Sequence, residues 1–406
     1  MKRIGPSGRA YGALAAADGI SRFGDVITAV VIPWFVLETT GSAGRTGVVV
    51  FAGAVAVVIS LFLGGTVVDR LGFRRISLAG DLASGATVAS IAVLHQFDAL
   101  PFELLVALVF LGTLLDLPAQ MARYAVLPEV AGEAGLRIER AMGISEGLIT
   151  SGALVGPAMA GLLIAGIGPA NVLWVDVATF GVSFLLVAFF VPGRTAHAHA
   201  AAESFRRTFA DGWRFLRNDR VLLALVIYLF AMNLVIGPVE VLVVPLYASI
   251  VLDSAIALGL MTAAIAVGGL AGNLIFGATG HRFPRRPTFV ASFLAIPLGL
   301  VALSGGPALW LALPVMAGIG LGLSLGNMIE YTVYFERIPE HLRARVLGIT
   351  GGLTWLSVPL GRGAAGFIFE TWDFERSLLV IGLVVLPLQF LVLAVGELGG
   401  ERRAGG

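Results

Sequence analysis

The most distinctive part of the chain is GTVVDRLGFRR at residues 65–75, a short charged connection between two apolar segments. A related stretch, GATGHRFPRR, lies at residues 277–286, and the two can be aligned position by position at a spacing of 212 residues. Pro33 and Pro245 have the same spacing. A repeat at this separation indicates that the two halves of the chain have related folds.

The composition is that of a chain surrounded by lipid. Of its 406 residues, 57% are hydrophobic and 13% are charged, and the mean hydropathy is +0.92. A soluble domain carries about 25% charged residues, so much of the expected water-facing surface is missing. The net charge of +1 provides no basic excess for nucleic acid, and the absence of cysteine excludes disulfides. We therefore predict a membrane protein with no nucleic-acid partner.

Apolar runs of about 20 residues, the length that crosses a bilayer, predict twelve transmembrane helices. The first run is long and lacks a small-residue cleavage site, which favours a retained helix over a signal peptide. The fold class we expect is an all-α membrane protein whose twelve helices form two pseudo-symmetric six-helix bundles. The expected spans are 11–37, 43–67, 75–96, 101–125, 141–166, 170–191, 221–247, 255–279, 287–304, 308–335, 343–369 and 377–397.

Three regions follow from these spans. Residues 1–191 are predicted to form the N-terminal bundle, and residues 221–406 the C-terminal bundle. The polar stretch between them, 192–220, has the spacing of an amphipathic helix on the inner membrane surface.

The basic residues predict the orientation of the chain. Nearly all Lys and Arg fall in loops on the side of the N-terminus, whereas Arg45 and Arg376 fall on the other side and Arg22 and Arg362 within spans. Loops rich in Lys and Arg stay in the cytoplasm. We therefore predict a multi-pass protein of the cell membrane with both termini cytoplasmic.

The stretch at residues 65–75 resembles the signature loop between helices 2 and 3 of the major facilitator superfamily. The resemblance implies a cytoplasmic gate in which Gly65 admits a neighbouring helix, Asp69 meets a helix N-terminus or an arginine, and the arginines anchor to lipid headgroups and acids. Phe73 stands where the family usually has a basic residue. The gate residues are Gly65, Asp69, Arg70, Gly72, Arg74 and Arg75.

The second copy of this motif implies a weaker gate, because His281 and Pro284 replace the aspartate and glycine of the first copy. Its residues are Gly277, His281, Arg282, Arg285 and Arg286.

A glycine-proline motif in span 5 resembles the one in helix 5 of family members with proton-driven export. It consists of Gly152, Gly156, Pro157 and Gly161. Taken alone, these residues are equally well explained by close helix packing.

Two further stretches resemble the branch of the family that contains macrolide-efflux proteins and the enterobactin exporter. They are SRFGDVITAVVIPW at residues 21–34 and LRARVLG at residues 342–348, and the resemblance extends over nearly the whole chain.

Polar side chains within the spans are the candidate functional residues, because an ionisable group at the bilayer centre costs at least about 2.5 kcal/mol. They form stripes on spans 1, 4, 7 and 10, the four helices that line the central cavity in the superfamily fold. Residues seven apart share a helical face. The stripes are Asp18, Arg22 and Asp25; Asp116, Gln120 and Arg123; Asn233 and Glu240; and Asn327, Glu330, Tyr331 and Tyr334.

We predict that Asp25 carries a proton, with Arg22 as its electrostatic partner. The other proton-coupling candidates are Asp18, Asp116 and Glu240, and the predicted substrate cavity contains Gln120, Asn233, Asn327, Glu330, Tyr331, Tyr334 and Arg362. In the alternative interpretation, Asp18 and Arg22 form an ion pair within one helix that only contacts headgroups.

Four charged residues are explained by positions near a membrane surface. Arg123 and Glu146 should extend to the cytoplasmic boundary, and Asp176 and Glu370 should be solvated near the outer face. Arg362 replaces the proline of the matching motif in span 5, and its expected partner is Glu330 or Glu240.

These observations predict a secondary transporter that exports an amphipathic organic compound, such as a drug, antibiotic or siderophore, in exchange for protons. Its partners would be that small organic substrate, protons and the lipid bilayer, and we expect a monomer. The proton-motive force would replace any cofactor, since no nucleotide-binding loop, metal-ligand set or catalytic constellation is present. The alternatives are a nutrient importer, a lipid transporter, and a membrane sensor that transports nothing.

Overall fold

The computed structural model describes residues 6–192, 205–282 and 284–390, and every regular element in these ranges is helical. The first seven helices are α1 (Pro6–Thr40), α2 (Ala43–Leu71), α3 (Phe73–Gln96), α4 (Phe102–Glu133), α5 (Ile138–Ile167), α6 (Pro169–Phe190) and α7 (Phe205–Asn218).

The next segment is interrupted: α8 (Arg220–Pro238) continues through a π-helical turn (Val239–Val243), α9 (Val244–Leu246) and a second π-helical turn (Tyr247–Val251). The last elements are α10 (Ala255–Thr279), a 3₁₀ turn (Gly280–Arg282), α11 (Arg285–Leu303), α12 (Leu309–Arg337), α13 (Glu340–Thr371) and α14 (Phe374–Val385).

Ten of the described helical segments are long and apolar enough to cross a membrane, and they coincide with the first ten predicted spans. The predicted eleventh span is occupied by α13, whose apolar run is diluted by Gly, Thr and Arg362. The first part of the predicted twelfth span is helix α14, and residues 391–397 lie outside the described residues. The all-α membrane fold class is confirmed.

Glycine ends several of these helices where the backbone must change direction. Gly72 joins α2 to α3 with φ +82°, and Gly168 joins α5 to α6 with φ +79°. Residues with a Cβ atom rarely adopt this conformation, so each glycine permits an abrupt turn. The helix pairs therefore need almost no loop.

The contacts divide the chain into two compact units. The first comprises residues 1–200 together with 253–259, and the second comprises residues 201–252 together with 260–406. In the first unit, α1 packs against α5 and α6, whereas α3 packs against α4 and α6, and α2 against α4. One end of this unit has an apolar core that includes Tyr11, Phe73 and Leu127.

The second unit repeats several of these helix pairings. There α8 packs against α13, as α1 packs against α5 in the first unit. Helix α11 packs against α12 and α14, as α3 packs against α4 and α6. Helix α7 lies in the predicted linker and packs against α13, with Leu216 fully buried and Arg217 exposed.

Candidate functional site

A buried ion network joins four helices of the first unit. Arg123 on α4 is 0% exposed; its Nε donates to Asp18 Oδ1 on α1 at 3.1 Å and its Nη1 donates to Asp81 Oδ1 on α3 at 2.7 Å. Ser183 on α6 donates to the other oxygen of Asp81 at 2.7 Å. Such an arrangement satisfies a cation that would be costly to bury alone.

The burial of Arg123 corrects the sequence interpretation, in which this side chain extends out of the protein to the cytoplasmic boundary. It is wrong because the partners come from distant parts of the chain, and a local pattern does not reveal them. Arg22 also belongs to the network, since its Nε donates to Asp18 Oδ2 at 3.0 Å. The intrahelical pair of the alternative interpretation therefore exists, but Asp18 is shared with a second arginine.

Asp25 and Asp116 meet at a single amide beside this network. Gln120 Nε2 donates to Asp25 Oδ2 at 2.9 Å and to Asp116 Oδ2 at 2.5 Å. Asp116 is 8% exposed, whereas Asp25 is half-buried. The predicted stripes of spans 1 and 4 thus face each other, and Gln120 connects them.

Asp176 is a third carboxylate of this region, and its position also corrects the sequence interpretation. It is 1% exposed and not solvated; Thr28 Oγ1 donates to Asp176 Oδ2 at 2.6 Å, and Thr179 Oγ1 donates to Oδ1 at 3.1 Å. Gly24 makes this contact possible, because a Cβ at that position would lie 2.3 Å from Asp176 Oδ1. The close approach of α1 and α6 buries the carboxylate.

The polar residues of α8 and of the π-helical turn that follows it face α13. Asn233 Nδ2 donates to the carbonyl of Thr354 at 3.3 Å, and Arg362 Nε donates to the carbonyl of Gly237 at 3.2 Å. Glu240 lies in the π-helical turn and attracts Arg362 electrostatically. Of the two partners expected for Arg362, the structure brings Glu240 near.

Some polar residues of the α12 stripe line a groove, and others are buried. Asn327 and Tyr331 line a groove of about 310 Å³, together with Asn273 and Ser324, and Ser324 Oγ donates to Asn273 Oδ1 at 2.5 Å. Tyr334 is buried.

Glu330 does not line the groove with Asn327 and Tyr331; it lies partly buried beside Tyr334, with which it interacts.

The first gate motif spans the end of α2 and the start of α3. The resemblance implied that Arg74 anchors to lipid headgroups and acids, whereas in the structure its Nε donates to the carbonyl of Val191 at 3.0 Å and its Nη2 to that of Ala188 at 2.7 Å. A cation satisfies the free carbonyls at the C-terminus of α6 in this way. Arg75 is exposed and Phe73 is buried in the apolar core.

Two parts of this motif remain predictions. The side chains of Asp69 and Arg70 are not among those that the structure describes, and neither are the contacts of Gly65.

In the second gate copy, Arg285 pairs with Glu336. Its Nη1 and Nη2 donate to the two carboxylate oxygens at 2.5 and 2.7 Å, which ties α11 to α12. Arg282 is exposed and Arg286 is partly buried, whereas Gly277 has open space among the described residues where a Cβ would be. The side chain of His281 lies outside the described residues.

The glycine-proline motif brings α5 onto α1. A Cβ on Gly156 would lie 2.6 Å from Val26, and one on Gly152 would lie 3.6 Å from Phe23. Gly161 packs in the same way against Gly259, which belongs to the same unit, and Pro157 lies within α5. The small residues therefore act in close helix packing.

Residues 14–361 match the family model described as Major Facilitator Superfamily. The chain belongs to this superfamily. It is therefore a multi-pass transporter of the cell membrane and acts on a small molecule, as its transmembrane helices and its family together show.

Curated relatives of this facilitator include efflux proteins. The multidrug efflux pump Tap of Mycolicibacterium fortuitum is 30% identical over 370 residues, which cover 90% of each chain. Tap of Mycobacterium tuberculosis (strain ATCC 25618 / H37Rv) is 30% identical over 89% of this chain and 88% of its own. Macrolide efflux protein A of Streptococcus pyogenes is 21% identical over 94% of this chain and 95% of its own. The resemblance to an efflux branch is confirmed.

Solved structures give the same fold. The nucleoside transporter NupG superposes with a TM-score of 0.81 at 14% identity and covers 96% of this chain and 99% of its own. A POT family transporter superposes with a TM-score of 0.72 at 13% identity, over 95% of this chain and 96% of its own. At this identity, the likeness concerns the fold alone.

Asp81 is the functional-site residue that the sequence analysis missed. It lies within the apolar span of α3, so the cost of burying a charge already singles it out. Its role in the network depends on Arg123, 42 positions further along the chain.

Proposed function

We propose that this facilitator is a proton-coupled antiporter that exports an amphipathic organic compound across the cell membrane. The observation that carries the proposal is that Asp25 and Asp116 lie close together, hydrogen-bonded to the same glutamine, in helices long enough to span the membrane. Within the described residues, their hydrogen bonds come from one neutral amide and from no cation. Two carboxylates placed in this way favour binding a proton over both remaining charged.

Asp25 is the proposed entry point for the proton because it is less buried than Asp116. Asp116, Asp176, Arg123 and Arg22 set the electrostatic surroundings of Asp25, and Arg22, its predicted partner, is ion-paired with Asp18. Glu240 beside Arg362 is the corresponding candidate in the second unit. One charge that crosses a potential of 100 mV releases about 2.3 kcal/mol, which suffices to drive export without a cofactor.

The substrate class is supported by the relatives and by the polar residues of α12. Two relatives are called multidrug efflux pumps, and one is called a macrolide efflux protein. The groove beside Asn327 and Tyr331 combines amide and hydroxyl groups with apolar neighbours such as Leu323 and Met328. Such a lining suits a compound that has both polar and apolar surface.

A proteoliposome assay tests the proposal. Purified protein is reconstituted with a dye that reports lumenal pH, a pH gradient is imposed, and macrolides, other amphipathic antibiotics and siderophores are added one at a time. We expect protons to move opposite to at least one compound. Transport of compounds without any proton movement would contradict the proton coupling.

Asp25→Asn is the variant that tests the proposed proton site. It keeps the shape of the side chain but cannot exchange a proton, so compound-driven proton movement should fall at least tenfold. Asp98→Asn is the matched control: Asp98 is exposed between α3 and α4, and this variant should behave as the parent protein. Full proton movement in Asp25→Asn would exclude Asp25 as the carrier.

A further inference from the structure

Two carboxyl groups share one nitrogen atom between α1 and α4. Gln120 Nε2 lies 2.9 Å from Asp25 Oδ2 and 2.5 Å from Asp116 Oδ2. A glutamine nitrogen carries two hydrogens, so each carboxyl group receives one of them. The two acids therefore lie within two hydrogen-bond lengths of each other.

The neighbouring cations are already balanced by other acids. Arg22 is bonded to Asp18, and Arg123 is bonded to Asp18 and Asp81, so two positive charges face two negative ones. The charged groups that act on Asp25 are Arg22 on α1, Arg123 and Asp116 on α4, and Asp176 on α6. Arg123, Arg22 and Asp81 act on Asp116 in the same way, but among the described residues neither arginine is hydrogen-bonded to Asp25 or Asp116.

One oxygen of the pair gives independent support for a bound proton. Asp116 is only 8% exposed, and its Oδ1 is buried without a hydrogen-bond partner among the described residues. An ionised carboxylate with an unsatisfied oxygen is costly in such surroundings, whereas a neutral carboxylic acid is tolerated. This oxygen is a suitable place for the proton.

We propose that Asp25 and Asp116 bind one proton as a pair, and that Gln120 is the positioning residue that holds them together. The proposal rests on the proposed function and specifies its proton site. Two carboxyl groups at this separation do not both ionise readily, so the pair retains one proton while the other carboxylate accepts the amide hydrogen. Uptake forms one O–H bond with a proton from water, and release returns that proton to water.

Infrared spectroscopy of the protein in proteoliposomes tests the shared proton without any substrate. A protonated carboxyl group has a C=O band that a carboxylate lacks, and the carboxyl groups outside the pair are the same in every sample and cancel in the difference spectra. At neutral pH, Asp25→Asn and Asp116→Asn should each remove the band of one carboxylic acid, and the double variant should remove no more. The reason is that the repulsion between the two carboxylates retains the proton: once a neutral asparagine replaces one of them, the amide hydrogens of Gln120 and the attraction of Arg123 and Arg22 stabilise the remaining carboxylate.

Two independent proton sites would give a different result. Each single variant would then keep the band of the remaining acid, and only the double variant would lose both. That outcome would overturn the proposal even if compound-driven proton movement were observed. Conversely, a shared band without compound-driven proton movement would support the pair and contradict the proposed antiport.

Gln120→Leu tests the positioning role, since leucine fills similar space but donates no hydrogen. The carboxylic acid band should shift in frequency, and compound-driven proton movement should fall at least tenfold. Gln389→Leu is the matched control: Gln389 is also a buried glutamine, but in the second unit it accepts a hydrogen bond from the Tyr228 hydroxyl and donates to Met232 Sδ, and among the described residues it bonds to no carboxylate of the pair. An unchanged carboxylic acid band in Gln120→Leu would contradict the positioning role of Gln120.

Discussion

At the scale of the residue, Arg123 should be the strongest single contributor to the stability of the first unit. Arg123→Met leaves Asp18 and Asp81 buried without their main partner, and removal of one partner from a buried ion network costs on the order of 3–5 kcal/mol. Thermal unfolding of the purified protein in detergent measures the loss. Arg9→Met, at an exposed position of α1, should leave the midpoint unchanged.

A second substitution separates the ion network from simple loss of packing. Asp81→Asn removes the charge that Arg123→Met leaves unpaired, so the double variant should be more stable than Arg123→Met alone. If the two effects simply add, the network does not act as a unit.

At the scale of the element, α10 and α12 are held together by glycines at backbone contact. A Cβ on Gly320 would lie 1.9 Å from the carbonyl oxygen of Ile265, and one on Gly268 would lie 1.9 Å from that of Ala317. Gly320→Ala should therefore force the helices apart and destabilise the protein by about 1–3 kcal/mol, the usual cost of overpacking. The midpoint of thermal unfolding in detergent should fall, and the rate of transport should fall with it.

Gly318 provides the control for this prediction because it lies on the same helix, and a Cβ there would meet no neighbouring atom of the described residues within 4 Å. Gly318→Ala should be neutral or stabilising by about 0.5–1 kcal/mol, since alanine favours the helix. Equal destabilisation by both variants would show that contact between α10 and α12 is not the cause.

The helices were predictable from the sequence, whereas their contacts were only partly so. The prediction of a span uses the summed hydropathy of about 20 residues, so a few atypical residues do not change it. The first ten predicted spans therefore coincide with helices. Helical spacing also placed Asp18, Arg22 and Asp25 on one face. The burial of Arg123 and Asp176 depends on partners far along the chain and on the close approach that Gly24 allows, and no local pattern reveals these.

At the scale of the whole molecule, the uneven distribution of arginine predicts that both termini face the cytoplasm. The chain has no cysteine, so single cysteines can report the side on which each loop lies. A membrane-impermeant maleimide should label Asp98→Cys and Ala308→Cys in intact cells, and Asn218→Cys only after permeabilisation, because Asp98 lies in a predicted outer loop and Ala308 at the predicted outer end of span 10. All three positions are exposed, and the cysteine-free parent gives the background. Labelling of Asn218→Cys in intact cells would reverse the orientation and, with it, the direction in which the proton gradient drives the compound.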